Sequence, residues 1–367
     1  MVNLSVRVSA TPAPISPSDR NTDRRDAGSD GANALAAGSV FQGRYQIVRC
    51  INAGGMGAVY EAVHLETRRR RALKVMLPSI VANAEMRARF QLEATIAADI
   101  ESEHIVETFD AGVDSESGSP FLVMELLRGE DLGTFLDRRG ALPAPEVVAI
   151  LAQVAVALDK THLAGVVHRD LKPENLFVTH RDDGTQRIKI LDFGIAKYVA
   201  QNAQSAKQTA SVGTPLFMSP EQIRGDGTIG PAADNYALAH IAYALLTGNA
   251  YWSTEAEEVD GVYPLLVKVM EGVAHSAVVR AAERGVSLPL SFDPWFERVT
   301  SLSPDDRPAT ASLVVESLAE CFGLPAPRLS MPTGPTSPRN GVPAVHDAQT
   351  VESSPLGVSP AASPGPE

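Results

Sequence analysis

His168-Arg169-Asp170-Leu171-Lys172-Pro173-Glu174-Asn175 is the stretch on which the reading of this chain turns. It places a carboxylate, an ammonium and an amide close together in sequence. Pro173 lacks an N–H and restricts Lys172 before it, so no regular α-helix runs through the segment. A rigid loop is expected, its polar side chains converging on one point. Further along, Ile188-Lys189-Ile190-Leu191 reads as a strand and leads straight into Asp192-Phe193-Gly194. A carboxylate such as Asp170 can take a proton from a hydroxyl. Lys172 can offset negative charge beside it, and Asn175 and Asp192 have the oxygen ligands that a divalent cation takes. For a His-Arg-Asp triplet alone, a solvated turn of mixed charge is the blander reading. The whole octet, followed by Asp192-Phe193-Gly194 at hairpin distance, argues against it.

Composition narrows the classes. The chain has 367 residues, 44% of them hydrophobic, enough for a large core, and a formal net charge of −12. A nucleic-acid-binding surface needs a basic face, so no nucleic-acid partner is expected. The two cysteines, Cys50 and Cys321, lie far apart and form no disulfide framework. A reducing, cytoplasmic location is the simple expectation. No apolar run approaches the roughly 18 residues of a membrane helix, and Met1 to Ala10 does not have the pattern of a signal peptide. No membrane span is expected.

The octet matches the H-R-D-L-x-x-x-N pattern, and the later triplet matches D-F-G, both of the protein kinase family. Lys172 after His-Arg-Asp-Leu makes the loop look like that of a serine/threonine kinase, and Gly54-Gly55-Met56-Gly57 followed by Val59-Tyr60 resembles the variety common in bacterial relatives of eukaryotic kinases. The resemblance implies Asp170 as the catalytic base and Lys172 as its cationic neighbour. It implies Asn175 and Asp192 as ligands of Mg²⁺, and ATP as the phosphoryl donor. His168 would brace the loop. Arg169 beside the base implies control by an anion, a phosphate on the activation loop.

Other stretches fall into place in order. Tyr45 to Ile51 alternates like a strand, and Ala58 to His64 reads as a second one. The turn between them, Asn52-Ala53-Gly54-Gly55-Met56-Gly57, resembles the family's glycine-rich loop. Ile51, Asn52, Ala53, Gly54, Gly55, Met56, Gly57 and Val59 are the implied nucleotide contacts. Asn52 stands where the family usually has its first glycine, which implies a weakened loop. Arg68 to Arg71 lies between two strands and reads as a solvated hairpin tip. Ala72-Leu73-Lys74-Val75-Met76 resembles the V-A-I-K strand. A lysine inside an apolar strand needs a carboxylate: Glu93 is the implied partner, in the helical stretch 82–98, with Glu85 and Glu101 as alternatives. By resemblance Met124 backs the adenine and Glu125 to Leu127 form the hinge, whose main chain meets the base. Asp131 is either a ribose contact or a helix N-cap.

Pro145 to Thr161 carries apolar residues at Val147, Ile150, Leu151, Val154 and Leu158, one face of a helix that delivers the chain to His168. The activation loop spans Asp192 to Glu221, with Thr209 and Ser211 as candidate phosphosites. Thr214 is the less favoured acceptor and is expected near Asp170 and Lys172. Ser219-Pro220-Glu221 stands for A-P-E, and Arg307 is the implied partner of Glu221. Asp234 would open the long central helix and anchor the catalytic loop. Residues 255–290 match the family poorly.

The expected fold class is α+β, a two-lobed protein-kinase fold: a small antiparallel β lobe with one helix at about 43–127, and a larger, mainly helical lobe at about 128–323. Residues 1–42 and the Pro- and Ser-rich 324–367 are expected to be disordered tails. The expected function is transfer of the ATP γ-phosphoryl group to Ser/Thr hydroxyls of protein substrates, with self-phosphorylation in trans as an option. The alternative is a pseudokinase or scaffold that binds nucleotide and partners without turnover. It draws on Asn52 and the divergent 255–290 region alone.

Overall fold

The structure, a computed structural model, describes residues 35–54, 57–78, 90, 100–191, 215–225 and 229–327. The expected tails, apart from 35–42 and 324–327, lie outside them, as do Gly55, Met56, Glu85, Glu93, Asp192 to Gly194, Thr209, Ser211, Gly213 and Thr214.

Six strands make one antiparallel sheet in the order β1-β2-β3-β4-β6-β5. They are β1 (Val40–Phe41), β2 (Tyr45–Gly54), β3 (Gly57–His64), β4 (Arg70–Met76), β5 (Thr108–Val113) and β6 (Pro120–Glu125). The chain is folded ahead of the expected boundary at 43. Phe41 packs edge-on against Phe121 with ring centroids 5.2 Å apart, and Leu35 joins the same cluster. That cluster, with Tyr45, Ile47, Tyr60, Ala62, Leu73 and Val123, fills one face of the sheet. Strand alternation sends Val59, Ala72 and Met124 to the other face. There they form a second, smaller apolar cluster. The arginine run divides in two. Arg68 and Arg69 are exposed as expected, whereas Arg70 pairs with buried Glu61 and Arg71 stacks 3.8 Å over the Phe109 ring.

The rest is mainly helical. A three-stranded sheet of β7 (Glu130–Asp131), β8 (Leu176–His180) and β9 (Gln186–Ile190) joins the lobes. The helices are α1 (Leu132–Arg139), α2 (Ala144–Leu163), α3 (Pro220–Arg224), α4 (Pro231–Thr247), α5 (Ser253–Glu258), α6 (Val262–Glu271), α7 (Ala277–Glu283), α8 (Phe292–Val299) and α9 (Ala311–Cys321). On α2, Val147, Ile150, Leu151, Val154 and Leu158 are all buried, the face read from their spacing. Helix α4 is buried on every side from Ala233 to Thr247, as expected of a helix apolar all round. Asp159 of α2 is buried and accepts from the amides of Ala311 (2.8 Å) and Ser312 (3.1 Å). Its charge thus sits on the N-terminus of α9, where the helix dipole favours it.

Two buried Arg–Glu pairs cross-link the helical lobe. Arg307 donates to both oxygens of Glu221, at 2.7 and 2.9 Å, and to the Ala232 carbonyl at 2.9 Å. This is the partnership expected from sequence. Arg280 makes a similar fork on Glu255, at 2.7 and 2.6 Å, between α7 and α5. Removing one member leaves an uncompensated buried charge. Arg307→Leu is therefore expected to lower stability by about 3–5 kcal/mol in urea unfolding; a loss below about 1 kcal/mol would show the pair to be dispensable.

His240 of α4 lies among aromatic rings, 4.6 Å from Tyr236 and 5.1 Å from Phe296. Neither ring nitrogen has a hydrogen-bond partner among the described residues. Burial, aided by the charge of Arg307, pushes its pKa down to about 3. The unfolded chain therefore takes up a proton near pH 6.5 that the folded chain refuses until about pH 3. Stability must fall as pH drops through that window, by up to about 1.4 kcal/mol per unit from this one group. His240→Phe should flatten the pH dependence of the urea midpoint between pH 6.5 and 5; unchanged slopes would contradict this origin.

Candidate active site

The catalytic loop is built by opposite demands on neighbouring residues. Leu171 and Leu176 turn into the core, while Asp170 and Lys172 stay partly exposed. Pro173 opens a 3₁₀ turn, Pro173–Asn175, in place of an α-helix. This turn folds Asn175 back onto Asp170. The Asn175 Nδ2 donates to the Asp170 carbonyl at 2.7 Å and to its Oδ2 at 3.1 Å. Both partners are acceptors, which fixes the amide orientation and turns Asn175 Oδ1 away from Asp170. Lys172 Nζ stands 3.4 Å from the same Oδ2. The structure thus brings together the base, its cationic neighbour and one metal ligand named from sequence.

Behind the loop lies Asp234, in the first turn of α4 and 1% exposed. It accepts from the His168 amide (2.8 Å), the Arg169 amide (2.9 Å) and His162 Nε2 (2.8 Å). Burial pushes its pKa up, but the His162 hydrogen bond and the charges and amide around it prevail and hold it below the usual carboxylate value. Arg169 has φ 62°, a left-handed backbone that non-glycine residues seldom adopt. It is held from both sides, since its carbonyl accepts from Gln222 Nε2 at 2.7 Å. Gln222 belongs to α3, whose capping box at Ser219 orients its side chain. His168 Nε2 donates to the Leu191 carbonyl at 2.9 Å, which joins the loop to the end of β9. A small pocket lies beside Asp170, lined by Arg169, Lys172, Pro215, Phe217, Met218 and Gln222.

On the small lobe, β2 and β3 pair as far as Asn52↔Val59, Ala53↔Ala58 and Gly54↔Gly57. Ile51 is the extra residue of a bulge between Cys50 and Asn52. Gly57 has φ 142°, and a Cβ there would meet the Val75 carbonyl oxygen at 2.2 Å. Only glycine lets β3 lie this close to β4. Lys74 sits opposite Val59 and Leu122; its expected partner Glu93 falls outside the described residues. Beside it lies the second apolar cluster, with Ala72, Val106 and Met124 buried and Val59, Leu127 and Leu191 partly buried. Asp131 caps α1, accepting from the Thr134 amide at 2.9 Å and its hydroxyl at 2.8 Å, so the structure supplies its N-cap role.

Several contributors were not read from sequence. Ala72 and Leu191 were signalled by strand alternation, which puts Ala72 on the side of Lys74. Gln222 carries the Ser-x-x-Gln capping-box signal, whereas Val106 and His162 carry no local signal, because their partners are distant in sequence.

A model of the protein kinase domain matches residues 45–314. Serine/threonine-protein kinase PknL of Mycobacterium tuberculosis is 32% identical over 332 residues, spanning 88% of this chain and 77% of that one. PknF of the same species is 41% identical over 217 residues, 59% of this chain and 45% of that one. Among solved structures, the PknI kinase domain of M. tuberculosis superposes with a TM-score of 0.61 at 30% identity, covering 79% of this chain and 99% of that one. Rad53 in complex with AMP-PNP, 22% identical with a TM-score of 0.58, shares the fold. Catalytic loop, cross-linked activation-segment end and sheet topology agree with these matches: the chain belongs to the protein kinase family, among the bacterial serine/threonine protein kinases of eukaryotic type.

Proposed function

We propose that this kinase uses Asp170 as the base that draws the proton from a serine or threonine hydroxyl as the ATP γ-phosphoryl group is transferred to it. The observation that carries this reading is the placement of the Asp170 carboxylate. It is held by Asn175 and Lys172 beside a small pocket and is partly exposed. A hydroxyl of a protein segment laid against that surface would reach the carboxylate. Lys172 offsets the charge that grows on the moving group.

The residues present fit a nucleotide and a divalent cation. The apolar cluster around Ala72 and Met124 would suit a flat apolar base, with the main chain of Glu125 to Leu127 at its edge. The glycine at position 57 lets backbone amides approach phosphates. Asn175 Oδ1, turned away from Asp170, and Asp192 would hold Mg²⁺, which when bound neutralises phosphate charge. Lys74, paired with Glu93, would grip the α- and β-phosphates. Ile51 to Gly57 and Val59 would cover them, and Asp131 remains a ribose contact in addition to its capping role. Phosphate on Thr209 or Ser211, delivered by a second copy of the chain, would meet Arg169 and order the activation loop. Cys50 and Cys321 are free thiols, which suits a cytoplasmic location.

Removing a positioned base costs roughly 10²–10⁴-fold in rate. Asp170→Asn is expected to lose phosphoryl transfer by that order while its affinity for Mg²⁺-nucleotide in calorimetry stays within a few-fold of wild type. Substantial turnover by this variant would overturn the assignment. Phosphopeptide mapping after incubation with Mg²⁺-ATP should find phosphate on Thr209 or Ser211 in the wild type and on neither in Asp170→Asn. Phosphate on both proteins would point to a contaminating kinase.

A further inference from the structure

Lys189 of β9 is a lysine where the strand pattern predicts a solvent-facing side chain, yet it is only 6% exposed. Its Nζ ion-pairs with the Glu125 carboxylate and donates to the Ile105 carbonyl at 3.2 Å. The same Glu125 oxygen accepts from the Glu107 amide at 2.9 Å, and the Glu125 amide donates to the Glu107 carbonyl at 2.9 Å. Four segments therefore meet at one ammonium: the end of β6, the entry to β5, the linker at 105 and β9.

The residues that follow Lys189 are tied just as closely to the catalytic side. Ile190 exchanges hydrogen bonds with the linker, its amide donating to His104 O (2.8 Å) and its carbonyl accepting from Val106 N (3.0 Å). The Leu191 amide donates to Asn175 O at 2.8 Å, and its carbonyl accepts from His168 Nε2. Leu191 also packs against the second apolar cluster and immediately precedes Asp192. Lys189 thus ties the hinge main chain to the strand that delivers a proposed metal ligand.

We infer that Lys189 is a positioning residue for nucleotide: by clamping the Glu125 carboxylate it sets the hinge main chain against the edge of the base and so tunes which base is accepted. The inference rests on the proposed hinge role of Glu125 to Leu127. A buried ion pair is a poor source of net stability, since desolvation offsets its attraction. Holding one geometry is what such a pair does well. Without the ammonium, the Glu125 carboxylate keeps only the Glu107 amide among the described residues. Its carboxylate then seeks water, and the hinge peptides lose their fixed direction.

The test uses the full chain as wild type, Lys189→Met, Lys189→Arg and Glu125→Gln. It reads calorimetric affinity for Mg²⁺-ATP and for Mg²⁺-purine riboside triphosphate, which lacks the 6-amino group, together with KM and kcat. For Lys189→Met we expect a roughly tenfold weaker affinity for ATP, a matching rise in KM and a kcat within about threefold, tenfold being about 1.4 kcal/mol. The loss should be much smaller for the analogue, and Lys189→Arg should restore most of it. Equal losses for both nucleotides would mean a merely structural pair and would overturn the inference. So would an unchanged ATP affinity in folded Lys189→Met. Should Lys189→Met fail to fold, Glu125→Gln carries the same comparison, since it removes the charge pair and keeps the side-chain volume. Failure of the wild type itself to bind Mg²⁺-ATP would instead remove the hinge reading on which the inference stands.

Discussion

A single buried carboxylate, that of Asp234, sets the shape of everything around the catalytic loop. An isolated charge at 1% exposure is untenable. Asp234 is stable because three independent features favour its ionised form. It sits in the first turn of α4, where the helix dipole is positive. It accepts from His162, and it accepts from two consecutive backbone amides. Those amides belong to His168 and Arg169, so satisfying the anion fixes the path of the chain into Asp170. Arg169 is thereby forced into a left-handed conformation, a strain of about 1–3 kcal/mol. Such strain persists only where neighbours over-determine it, and the bond from Gln222 supplies the second constraint.

The two faces of the small sheet have different jobs. One is sealed by aromatic packing with Phe41 and Leu35 and gives rigidity. The other carries a small apolar cluster on the side of Lys74. Ala72 adds no side chain beyond Cβ to it, and Gly57 lets β3 lie close to β4. The first face is built from large residues, whereas the second includes small ones.

Much of this was legible in the sequence, for a physical reason. The catalytic loop, the strand before Asp192, helix α2 and the Glu221–Arg307 pair were all readable. Helix α2 and the strand rest on short-range spacing, whereas the catalytic loop and the Glu221–Arg307 pair were legible through their resemblance to kinase motifs. The folded segment ahead of residue 43 was not readable, because Val40–Phe41 is too short to show strand alternation and gains its order only from Phe121. Nor was the burial of Lys189, which reads as a solvent-facing position until β9 is docked against the linker at 105. Arg70 and Arg71 show the same limit: four consecutive arginines look alike in sequence. Only the register of β4 tells which meets Glu61 and which meets Phe109.

The placement of the Arg–Glu forks bears on how such a site can be regulated without being dismantled. Glu221 and Gln222 are adjacent on α3, one anchored to Arg307 in the helical core, the other bonded to the carbonyl of Arg169. The end of the activation segment is therefore pinned at both residues, on opposite sides. At Ser219 a capping box starts α3. The catalytic loop is thereby held by Gln222 on one side and by Asp234 on the other, so that α3, anchored by Arg307, acts on Arg169, and the buried carboxylate of α4 acts on Arg169 and on His168 before it.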